Sequence, residues 1–139
     1  MSAVPTIENH LEEVLIEALE DEPTKVVYGY TEAKELVAIF GADFERSFRL
    51  LGPQEVPLEE SFQIELIVEA ITPSGRDMKP AAARCWEIFA IVDAAVRGDH
   101  HLDGVSWDAR LTKGTREFFQ TDKGQGCRIR TTLTGTARI

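Results

Sequence analysis

A chain of 139 residues is a common size for one domain and is long enough to bury a hydrophobic core. Its 43% hydrophobic and 28% charged residues exclude a disordered polymer, and no apolar run approaches the ~20 residues that cross a bilayer. A net charge of -9 argues against a protein that grips nucleic acid, because Lys and Arg neutralising phosphates dominate that affinity.

The first expected element is a helix. Ile7, Leu11, Val14, Leu15, Ala18 and Leu19 fall at helical spacing, with Thr6 as the expected N-cap. Glu8, Glu12, Glu13, Glu17 and Glu20 occupy most of the other face. Glu17, Glu20, Asp21 and Glu22 crowd the C-terminal end, where the helix dipole disfavours negative charge and a basic surface would be welcome. Pro23 stops this helix. Residues 25–30 then read as a short strand, and residues 35–40 as a second.

Residues 43–51 fit two patterns. Phe44, Phe48 and Leu51 make a helical stripe, whereas Phe48 and Leu50 alternate as in a strand, and Gly52-Pro53 ends the segment either way. Residues 61–71 carry a clear strand signal, with Phe62, Ile64, Leu66, Val68 and Ala70 alternating with polar residues. Residues 72–77 form a polar loop.

Pro80 suits the first turn of a second helix, and Gly98 suits its C-terminal cap. Ala81, Cys85, Ile88, Phe89, Val92, Ala95 and Val96 line one face; Ala82, Trp86, Ala90, Ile91 and Ala94 extend the apolar surface most of the way round. A helix this apolar is expected to be covered on more than one side, by its own sheet and by another helix or subunit. The remainder reads as a long antiparallel hairpin over residues 105–139. Val105, Trp107, Ala109 and Leu111 alternate on its first arm, and Cys127, Ile129, Thr131, Leu133 and Ala137 on its second, with an expected bulge at Gly114. Nothing splits the chain, so residues 1–139 form one α+β domain with a mainly antiparallel sheet.

Charge is unevenly distributed: residues 1–70 carry a net -12 and residues 71–139 a net +3. One copy is therefore expected to dock its acidic part against the basic part of another, unless these are simply two solvated faces of a monomer. The first residues lack the basic-then-apolar pattern of a secretory leader, and Cys85 and Cys127 lie far apart in different elements. Both thiols are expected to be buried and reduced, as in a cytoplasmic product.

No catalytic, cofactor or metal site is expected. Asp99-His100-His101-Leu102-Asp103 has ligand-type residues but no third and fourth partners apart from the distant His10. No serine sits in a nucleophile elbow, and no glycine-rich loop joins a strand to a helix in the phosphate-binding pattern. Phe118-Phe119 is more telling, because adjacent strand residues point to opposite faces and only one of them can serve the core.

The order of elements resembles the tail terminator family of long-tailed phages (tail completion, minor tail protein U-like). The likeness is carried by the N-terminal amphipathic helix, Val26-Val27-Tyr28-Gly29, the alternating strand from Phe62 to Val68, and the turn Ser74-Gly75-Arg76-Asp77. It continues through the helix opening with Ala81-Ala82-Ala83-Arg84, the junction from Val96 to Val105, and the closing strand from Arg130 to Ile139. The resemblance implies a non-enzymatic virion protein, assembled in the bacterial host cytoplasm and located at the tail–neck junction. It implies a homo-oligomeric ring, usually a hexamer, that caps the major tail tube protein and meets a neck connector or stopper. DNA would pass through its lumen without specific binding, and no membrane is involved. Neck connectors and stoppers, themselves small ring proteins, are the nearest alternative. A monomeric ligand-binding domain and a small enzyme with an unrecognised site are alternatives of other classes. The residues expected at a subunit or tube interface are Trp86, Trp107, Phe118, Phe119, Arg128 and Arg130.

Overall fold

The computed structural model describes residues 2–73, 75–99 and 108–138. Two helices, α1 (Val4–Ala18) and α2 (Lys79–Gly98), lie on one face of a five-stranded sheet. The strands are β1 (Lys25–Tyr28), β2 (Glu35–Leu51), β3 (Gln54–Thr72), β4 (Arg110–Thr121) and β5 (Gly124–Arg138), in the spatial order β1-β2-β3-β5-β4. All neighbours are antiparallel except β1 and β2. The chain is an α+β fold with a mixed, mainly antiparallel sheet.

Alternation sorts the sheet into two faces. Val37, Ile39, Phe62, Ile64, Leu66, Val68, Ala70, Cys127, Ile129 and Leu133 form the core with Ile7, Leu11 and Leu15 of α1 and Ala81, Cys85, Ile88, Val92 and Val96 of α2. Each fully buried aliphatic side chain there contributes about 1.5–3 kcal/mol relative to exposure. The opposite face is open over much of its area. At the β1–β2 end, Leu36, Ala38 and Ile67 form a second, small cluster with Val27 and Ala33. The connection through residues 29–34 crosses this face, carrying Tyr30 far enough for its hydroxyl to donate to Glu69 on β3.

Helix α1 begins earlier than its apolar spacing predicts. Ala3 is the N-cap and Thr6 lies inside the first turn. The cap comes from the sheet: the Glu60 carboxylate accepts from the Ala3 N–H at 2.9 Å and from the Ser2 hydroxyl at 2.8 Å, and Ser2 Oγ in turn accepts from the Val4 N–H. A carboxylate at a helix N-terminus meets both unsatisfied N–H groups and the positive end of the dipole. Burial alone would raise the Glu60 carboxyl, but hydrogen bonds from Arg46, Ser2 and Ala3 hold it below the usual glutamate value.

The ambiguous segment 43–51 is strand. β2 runs unbroken from Glu35 to Leu51, through register shifts against β3 between Ile39 and Gly41 and between Ser47 and Phe48, and turns at Gly52, whose φ of 65° suits glycine. A further shift, between Leu111 and Lys113, places the β4 irregularity before Gly114, which pairs in register with Thr131. The expected bulge at Gly114 is corrected accordingly.

Candidate assembly interface

Among the described residues expected at an interface, Trp86 and Phe118 are the exposed apolar groups. Trp86 lies on α2 with nearly half of its surface in solvent, its ring edge-on to Phe89 at 5.6 Å. Phe118 is also exposed, on the edge strand β4, where it pairs with Cys127 and so points to the helix side of the sheet. The Arg116 guanidinium stacks over its ring at 4.7 Å. Trp107, like His100 and His101, lies outside the described residues.

Phe119, Arg128 and Arg130 are engaged within the subunit. Phe119 pairs with Gly126 on the open face, its ring occupying the space a side chain at Gly126 would need, and Arg128 sits 4.8 Å over that ring. The Arg128 Nε donates to Glu69 at 2.5 Å. Arg130 donates to Glu117 at 2.7 Å and to Glu65 at 3.2 Å, and these contacts, Glu117 first, raise its pKa further. The result is a ladder of charge tying β3, β5 and β4 together across the open face.

The same bookkeeping changes the meaning of the uneven charge distribution. Arg84 of α2 draws in Glu22 and Glu35 from the first half of the chain, and Arg128 and Arg130 draw in Glu69 and Glu65. Part of the complementarity between the acidic and basic halves is therefore satisfied inside one subunit, with Arg84, Arg128 and Arg130 engaged by acids of the first half.

Sequence reasoning missed a row of exposed aromatics along β2: Phe40, Phe44 and Phe48 are each at least half exposed. Phe44 pairs with the buried Phe62, which places it on the helix side. Arg46, two residues on, stands 5.5 Å over the Phe44 ring and donates to the buried Glu60 at 2.9 Å. The four-residue spacing of Phe44 and Phe48 hid this row, since four fits one helical turn as well as two strand periods. Beyond Ile39, β2 has left the reach of β1, and among the described residues no strand pairs with its outer edge from Gly41 to Leu51. The outer edge of β4 is likewise unpaired among the described residues. Among the described residues, the sheet thus ends on both sides in an open edge with an exposed phenylalanine beside an arginine.

The shallow hollows of the open face suit surface contact better than enclosure of a substrate. One of about 250 Å³ is lined by Asp43, Glu45, Gln63 and Thr134; a smaller one of about 150 Å³ lies between Tyr30, Phe119 and Lys123. Cys85 and Cys127 meet in the core: the Cys85 thiol approaches the Cys127 carbonyl oxygen at 3.5 Å and that of Val68 at 3.4 Å. Burial raises the pKa of both thiols, so neither is an activated nucleophile. Among the described residues, no three histidine, cysteine or acidic side chains come together as metal ligands, and no helix is long and apolar enough to cross a membrane. No protein-family model matches the chain, and no curated protein matches it.

Proposed function

We propose that this chain is a structural tail terminator of a long-tailed phage: a subunit that closes into a ring, of six copies by family resemblance alone, caps the tail tube and offers its far side to the neck. The observation that supports assembly is the pair of open sheet edges at opposite ends of the subunit, Phe44 and Phe48 beside Arg46 on β2 and Phe118 beside Arg116 on β4. The two edges are unlike surfaces, and a contact between unlike surfaces runs head to tail and closes when its rotation divides a full turn. Trp86, exposed on the helix layer, adds an apolar anchor for the tube or the neck. The tail assignment itself comes from the resemblance of the chain's order of elements and local phrases to that family.

The experiment is a phage lacking this protein. A terminator leaves tails of uncontrolled length that fail to join heads, and adding the purified protein restores tails of normal length. Tails of normal length on heads that leak DNA would assign the chain to a neck stopper. A protein that stays monomeric with tube ends present would favour a ligand-binding domain.

A further inference from the structure

We infer that the two open edges pair with each other between copies, the β4 edge of one subunit adding antiparallel to the outer edge of β2, Gly41 to Leu51, of a second copy. This rests on reading the chain as a self-assembling subunit and names the surface by which it assembles.

Long unpaired edges invite another strand, and proteins guard them with proline, short length or inward charge. Here the edges are long and matched: β4 has 12 residues and the free part of β2 runs from position 41 to 51, both about 40 Å at ~3.4 Å per residue. Neither contains a proline. Pairing β4 with its own copy about Lys113 would bring Arg110 against Arg116 and Lys113 against itself, and like charges directly opposite are destabilising. The β2 edge offers instead Asp43 and Glu45 on the open face, paired with Gln63 and Ser61.

Direction follows from the fold. β4 runs antiparallel to β2 within one subunit, since β2, β3, β5 and β4 alternate. A sheet continued by rotation into the next copy keeps that alternation, so the new pair is antiparallel.

Charge and space then select a register. Opposing Phe44 with Phe118 sets Glu45 against Glu117 and Arg46 against Arg116, two like-charge pairs. Sliding β4 two residues toward the β2 tip removes both. Arg46 then faces Phe118, Phe48 faces Arg116, and Ser47 faces Glu117. The turn after Thr121 falls opposite residues 41 and 42, clear of β1, which ends its pairing at Ile39. On the helix side the two copies build one row in which arginine and phenylalanine alternate. Each edge already makes this contact with itself, Arg46 over Phe44 and Arg116 over Phe118.

The test mixes two single variants, Ser47→Cys and Glu117→Cys, under mild oxidation. Opposite residues of an antiparallel pair lie within disulfide reach, and positions two residues out of register largely do not. The expected result is a cross-linked product containing one chain of each variant, formed at least about tenfold faster than with Glu45→Cys in place of Ser47→Cys. Each variant is first shown to melt cooperatively, because Glu117→Cys removes an ion pair with Arg130. Faster cross-linking of Glu45→Cys overturns the register, moving the pair to the one that sets Phe44 against Phe118; cross-linking by neither pair in concentrated protein overturns the edge pairing itself. The tail-length phenotype is read independently: normal tails with efficient cross-linking reject the terminator and keep the pairing, whereas overlong tails without cross-linking do the reverse.

Discussion

Arg84 holds the carboxylate of Glu35 with two hydrogen bonds of 2.9 Å each, joining the N-terminal part of α2 to the start of β2. The same guanidinium reaches Glu22 at 2.7 Å and Glu87 at 3.0 Å, so it also fixes the end of the α1–β1 connection. Arg84→Met leaves Glu22 and Glu35 close together and partly buried without their cation. The expected loss is about 2 kcal/mol, on the scale of a charged hydrogen-bond cluster, measured by denaturant unfolding. Arg84→Lys should recover only part of it, since an ammonium lacks the two-pronged geometry.

Acid should destabilise the fold through Glu35 and Glu60. The Glu35 carboxyl is depressed chiefly by the Arg84 hydrogen bond; at Glu60 burial opposes, and Arg46, Ser2 and Ala3 together outweigh it. A depressed folded-state value contributes stability that is complete above the ordinary glutamate value of 4.5 and is lost as pH falls through the lower folded value. Melting temperature should therefore drop below pH 4.5. The Glu35 contribution to that drop should disappear in Arg84→Met; an unchanged acid slope in that variant would exclude it.

The two faces of α2 should respond differently to truncation. Ile88 is fully buried, so Ile88→Ala opens a cavity and should cost about 2–5 kcal/mol. Phe89 is only partly buried, so truncating it should cost less than at a central core position. Trp86→Ala should lower subunit stability by about 1 kcal/mol or less, the worth of its edge-on contact with Phe89, while weakening attachment to tails. Thermal melts beside a tail-binding assay separate these effects.

Gly126→Ala should destabilise by about 1–3 kcal/mol, because the added methyl must displace the Phe119 ring from its place under Arg128. Combining it with Phe119→Leu should relieve part of the cost. Strictly additive losses in the double variant would show that the ring is not the obstacle.

Cys85 and Cys127 should react with a thiol reagent only as fast as the chain opens, since both are buried and their thiols are held protonated. Complete labelling within the mixing time in native buffer, against slow labelling that accelerates with denaturant, decides the point.

The sequence by itself determined the α+β class, both helices and the strand faces that meet them. Those depend on local period, and Ile7-Leu11-Leu15 or Phe62-Ile64-Leu66 can bury their apolar groups in only one way. It also indicated that Trp86 would lie beside the buried stripe of α2. The expectation that one of the adjacent pair Phe118-Phe119 serves the core does not hold: strand order places Phe119 over Gly126 on the open face and leaves Phe118 exposed at the edge. Tertiary structure also decided that segment 43–51 extends β2, because pairing with β3 satisfies the backbone groups of its inner edge along the whole length. It brought Cys85 to Cys127 and Arg84 to Glu35, partners 42 and 49 residues apart, across a packed interface that no local pattern encodes. Above all, it paired part of the acidic half of the chain with arginines of the basic half, because β3 and β5 lie side by side and set Glu69 opposite Arg128.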